Sequence, residues 1–97
     1  MAGRRPRAFL RLYVTDADAT QQRAVAAGAA SVTEVTGLFF GDRVGRVRDP
    51  LGNIWWIQAH VEDVGPEELT RRPQDPAAMA ALRLVETSLD AAMRDRD

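Results

Sequence analysis

Polar and apolar positions alternate across residues 9–14, with Leu10, Leu12 and Val14 on one side and Phe9, Arg11 and Tyr13 on the other. That pattern predicts a strand with one wholly aliphatic face. Asp16-Ala17-Asp18 then supplies capping carboxylates, and Asp18 followed by Gln21 has capping-box spacing, so a helix starts here and ends at Gly28. Ala24, Val25 and Ala27 give this helix a thin apolar stripe of small side chains, suited to close packing on a sheet. Residues 31–36 are β-branched and half polar, which predicts a strand at or near a sheet edge. An apolar loop bounded by Gly37 and Gly41 follows. Two further β-type runs, 44–48 and 53–59, flank Asp49-Pro50-Leu51-Gly52, where proline early and glycine late in a tight turn make a hairpin. Its second strand holds Trp55 and Trp56 side by side, and a period of two sends them to opposite faces. Both faces of the sheet therefore have something large to pack against.

Beyond His60 the pattern changes to helical. Pro66-Glu67-Glu68-Leu69 is a proline-first, acid-early helix start, and Pro73 ends that piece. Asp75-Pro76 caps a longer helix to about Arg94, in which Ala78, Met79, Leu82, Val85, Leu89 and Met93 recur at three and four residues. This helix buries one face, either as an arm across a partner or as a lid on its own module. The organisation is thus α+β: a basic arm (1–7), a βαβββ module (8–60), a connector with a short helix (61–74) and a C-terminal amphipathic helix (75–95).

At 97 residues the chain is one domain, small enough that oligomerisation is a live source of stability. It has no cysteine, which excludes disulfides and thiolate chemistry and fits a cytoplasmic protein. No apolar run has the length of a signal-peptide core or a membrane span. A net charge of −1 gives no general attraction to nucleic acid, so Arg4, Arg5 and Arg7 read as a solvated arm. All thirteen basic residues are arginine and alanine is abundant, the bias of a GC-rich bacterial genome.

The first strand, the VTDADAT entry to an Ala-rich helix ending AAGA, the GDRVGRVRDPLGN hairpin and the HVEDVGPEEL exit together resemble the vicinal oxygen chelate superfamily of glyoxalase I, bleomycin-resistance proteins and extradiol dioxygenases. The glyoxalase/bleomycin-resistance branch is the nearest match. The resemblance implies a curved mixed sheet with helices on its convex side, and two such modules joined into a cup, here by a homodimer in which each chain supplies half. The chain resembles the second module of such a pair. It also implies a metal site built from a His near the start of the first strand and a Glu in the last strand, four residues after the turn glycine. The matching positions here are Phe9 and Trp56, and neither side chain is a ligand for a divalent cation. The reading therefore assigns no metal and no cofactor. The only histidine, His60, is an exposed or hydrogen-bonded strand end, or else part of a metal site completed by Asp42 and symmetry mates.

No nucleophile and base pair is visible, since Ser31 and Ser88 lack any motif around them. Asp42 and Arg43 read either as a rim acid with its ion-pair partner or as a loop salt bridge. What remains is a ligand-binding set on the cup face: Phe9, Arg11, Tyr13, Arg46, Arg48, Ile54, Trp56 and Gln58. Aromatic and apolar walls edged by guanidinium groups suit a flat organic molecule with an anionic substituent, unless the arginines pair with Glu34 and Asp49 across the sheet. The expected function is a metal-free homodimeric binder of a small aromatic or amphipathic molecule. The alternatives are a metal-dependent lyase, isomerase or dioxygenase with an unusual ligand set, and an association module that completes a cup with a separate partner. Neither nucleic acid nor membrane is an expected partner.

Overall fold

A computed structural model describes residues 8–94, so the basic arm and the last residue of the expected C-terminal helix lie outside the described residues. The elements are β1 (Phe9–Tyr13), α1 (Ala17–Ala26), β2 (Ala30–Gly37), β3 (Asp42–Arg48), β4 (Ile54–His60), α2 (Pro66–Arg71) running into a 3-10 turn (Arg72–Gln74), and α3 (Pro76–Arg94). The predicted βαβββ order is present. The strands form one open mixed sheet in the order β1-β4-β3-β2, so β1 and β2 are its two edges. β1 runs parallel to β4 and β3 antiparallel to both β4 and β2. No helix among the described residues is long and apolar enough to cross a membrane.

The hairpin forms as its sequence dictates. Gly52 takes a φ of 92°, which side chains resist, and the Asn53 carbonyl accepts from the Asp49 N–H at 2.9 Å. The Asp49 carboxylate accepts from the Leu51 and Asn53 N–H groups and from the Trp55 indole N–H at 2.9 Å. Those hydrogen bonds, led by the one from Trp55, hold its pKa below the usual carboxylate value.

The helix start differs from the expected capping box. Asp16 is the N-cap, its carboxylate accepting from the Ala19 N–H at 3.0 Å. Asp18 instead pairs with Arg43 at 2.8 Å, and Gln21 turns into the core, donating to the Thr33 carbonyl at 2.7 Å. A charge-assisted partner on β3 and a buried carbonyl on β2 outbid the local backbone for these two side chains.

Each face of the sheet has its own core. On one, Val47, Ile57 and Ala59 are buried against Ala17 of α1, with Trp55 packed alongside. On the other, Leu38 and Val44 are buried against Val85 of α3, with Trp56 and the helix's Ala81 and Leu82 alongside. The strand parity read from the sequence therefore holds, and α3 is settled as a lid on its own module. Its seat is polar as well as apolar: the Ser88 and Thr33 hydroxyls meet at 2.6 Å, and Arg46 donates to the Val85 carbonyl.

Candidate functional site

The register sets three residues in one row on the α3 face: Arg11 on β1 lies opposite Trp56 on β4, which lies opposite Arg46 on β3. Both guanidinium groups stand over the Trp56 ring, Arg11 at 5.8 Å and Arg46 at 4.8 Å from its centroid. Such contacts hold a ring flat and make its neighbourhood cationic. Beside the row is a cavity of about 200 Å³ lined by Phe9, Leu10, Arg11, Arg46, Ile54, Trp56 and Leu89. Burial is the main influence on the Arg46 guanidinium and lowers its pKa, while the charge of Asp90 on α3 opposes that effect. Arg46 is also committed to the Thr33 hydroxyl at 3.0 Å. Arg11 donates to the exposed Tyr13 hydroxyl at 3.2 Å, on the open edge strand.

Of the eight residues expected to bind a ligand, Phe9, Arg11, Arg46, Ile54 and Trp56 line this cavity. Tyr13 stands outside it, 65% exposed. Gln58 sits behind it, accepting from the Trp56 indole N–H at 2.7 Å, and Arg48 is half-buried at the end of β3 opposite Ile54. Leu89 is a further wall of the cavity: its place on the apolar stripe of α3 is legible in the sequence, but the docking of that stripe is not.

Several charges find partners other than those the sequence suggests. Asp42 and Arg43, adjacent on a strand, point to opposite faces, so they form neither a rim pair nor a loop salt bridge with each other. Arg43 takes Asp18, whereas Asp42 accepts from the Gln58 amide and meets His60 Nδ1 at 2.7 Å. His60 Nε2 in turn meets Asp63 at 2.7 Å. These two contacts, Asp42 first, raise the His60 pKa above its ordinary value. Arg46 pairs with neither Glu34 nor Asp49, since the Glu34 carboxylate accepts from Ser31 and Asp49 is spent on the hairpin and Trp55.

A larger cavity, about 290 Å³, lies on the opposite face, among Leu12, Ala24, Ala27, Val47, Trp55 and Ile57. It follows from the alanine stripe of α1, whose side chains are too short to fill the space above the sheet. The two donors nearest it, the Trp55 indole and the Thr20 hydroxyl, already serve Asp49 and the Asp16 carbonyl. Little is left there to orient a ligand, so the Trp56 side is the better candidate.

The resemblance implies a metal site at Phe9 and Trp56, and the donor chemistry does not fit one. A phenyl ring has no lone pair to offer, and the Trp56 nitrogen is a donor already bound to Gln58. No group of three or more His, Asp or Glu side chains among the described residues is arranged to hold a metal ion.

The chain is 43% identical over 60 residues to an uncharacterized protein of Mycobacterium bovis, a match covering 62% of this chain and 40% of the relative. It is equally similar to uncharacterized proteins of two Mycobacterium tuberculosis strains, there covering 35% of the relative. The match thus spans well under half of each relative's length. No solved structure matches. A family model described as Glyoxalase/Bleomycin resistance protein/Dioxygenase superfamily matches residues 2–57, which take in β1, β2, β3 and the first part of β4. With that match laid over the βαβββ sheet, the chain belongs to the Glyoxalase/Bleomycin resistance protein/Dioxygenase superfamily.

Proposed function

We propose that this protein binds a small, flat aromatic molecule carrying an anionic group, without a metal, at the Trp56 side of its sheet. The observation that carries this reading is the row of Arg11, Trp56 and Arg46 beside a cavity of about 200 Å³. An aromatic ligand stacks on apolar walls, Phe9 and Ile54, while the exposed Arg11 meets its charge. 8-Anilinonaphthalene-1-sulfonate is a suitable probe. Its fluorescence is expected to rise on binding with saturable stoichiometry, to lose at least tenfold in affinity in Trp56→Ala, a loss of about 1.4 kcal/mol, and to be retained in Trp55→Phe. Equal binding by Trp56→Ala, or a stoichiometric divalent metal in elemental analysis of the purified protein, overturns the reading.

The same face supports a second component, a homodimer with two-fold symmetry in which two sheets close a cup. Phe9 is 61% exposed and Tyr13 65%, both on an edge strand with no strand neighbour on its far side among the described residues. Large exposed side chains on an open strand edge are a liability for a small domain unless a partner covers them. Light scattering at micromolar concentration is expected to give twice the chain mass, and a monomer there refutes the dimer.

A further inference from the structure

Trp56 is the end of a chain of polar contacts that runs out of the pocket to the chain's only histidine. Its indole N–H donates to Gln58 Oε1 at 2.7 Å, and the Gln58 amide N–H donates to Asp42 Oδ2. Asp42 Oδ1 meets His60 Nδ1 at 2.7 Å, and His60 Nε2 meets Asp63 at 2.7 Å. The direction of the first two links is fixed by chemistry. An indole nitrogen only donates and a carboxylate only accepts, so Gln58 has one orientation that serves both. We infer that Gln58, Asp42 and His60 are positioning residues for Trp56, and that the proton on His60 sets how firmly the pocket's aromatic floor is held.

Two carboxylates face His60, Asp42 from β3 and Asp63 from the connector after β4. A ring with a carboxylate at 2.7 Å from each nitrogen satisfies both only as imidazolium, since a neutral ring has one N–H and turns a lone pair toward the other carboxylate. The rise in its pKa caused by these two contacts agrees with that geometry. A group whose folded pKa is raised contributes its stabilisation fully below the unfolded pKa and loses it as pH rises through the folded one. Above that point Asp42, 14% exposed at its side chain, keeps an acceptor to spare and loses its charged anchor. Its grip on Gln58, and through Gln58 on Trp56, becomes one arrangement among several.

The consequence for ligand affinity rests on the pocket reading, but the relay itself is testable without ligand. The two adjacent tryptophans make the experiment self-controlled, because Trp55 is tied to Asp49 and has no histidine in its network. In 15N-labelled protein the Trp56 indole N–H resonance is expected to move with pH at the midpoint of the His60 ring protons, while that of Trp55 stays fixed across the same window. In His60→Gln, which alters a side chain 58% exposed and so leaves the fold intact, the Trp56 movement disappears. A Trp56 resonance that stays fixed while His60 titrates, or that moves in step with Trp55, overturns the relay. For the sulfonate probe, affinity is expected to fall about threefold to tenfold as pH rises through that midpoint, and to become flat in His60→Gln. Failure of the probe to bind while the indole still titrates sinks the pocket reading and leaves the relay standing.

Discussion

Trp55 and Trp56 share a peptide bond and little else. One indole donates to a turn carboxylate and packs under α1, and the other donates to Gln58 and lies between two guanidinium groups under α3. The strand's period of two makes this division, and it keeps the structural ring apart from the candidate binding ring. Gln21 and Gly45 are coupled in a comparable way. Gln21 reaches down from α1 over Gly45, and a Cβ added there would lie 2.1 Å from Gln21 Oε1 and 3.0 Å from a Val35 methyl. Gly45 is therefore needed for room rather than for backbone freedom. Gly45→Ala is expected to push Gln21 off the Thr33 carbonyl and cost about 1–3 kcal/mol. Urea denaturation checks this, and an unchanged midpoint contradicts the packing described.

At the scale of elements, α3 decides what the α3 face of the sheet can do. Its apolar stripe covers Val44 and Leu38 through Val85, which is 4% exposed, while Leu89 farther along walls the cavity beside Trp56. The helix therefore covers part of this face and leaves β1 open at the edge. Val85→Ala is expected to destabilise the fold by about 1–3 kcal/mol and to loosen the lid. Trp56 then becomes wetter, so the intrinsic emission should shift to the red under native conditions before global unfolding. An emission maximum identical to the parent across that range argues against α3 as the cover of this face. At the other end of the connector, Gly41 has a φ of 102° and its carbonyl accepts from the Val61 and Glu62 N–H groups. Arg72 pairs with Glu62 at 2.6 Å and Glu68 at 3.1 Å. These contacts fix the path by which the chain turns from β4 toward α3.

For the whole molecule the balance of surfaces matters more than any one contact. A chain of 97 residues buries a small core on each side of one sheet, and on β1 it leaves Phe9 and Tyr13 exposed together with Arg11 and Leu12. If a second copy covers that edge, association and folding are linked by mass action. The thermal midpoint should then climb with protein concentration over the range where light scattering reports a change from one chain to two. A midpoint independent of concentration, at concentrations where the chain is a dimer by mass, contradicts that linkage.

The sequence alone determined the local structure. Alternation at residues 9–14, the Asp49-Pro50-Leu51-Gly52 turn and the three-and-four spacing of the last helix each depend on neighbours within a few positions, and each is present as read. The strand parity that put Phe9, Arg11, Ile54 and Trp56 on one face was legible for the same reason. Tertiary structure alone decided where α3 docks, that Leu89 joins the pocket, that Asp18 and Gln21 leave the helix start for partners on β3 and β2, and that Asp42 meets Gln58 and His60 rather than Arg43. Those choices depend on which distant residues the fold brings within hydrogen-bond reach, and a charged or amide side chain takes the strongest partner available in space, whatever its distance along the chain.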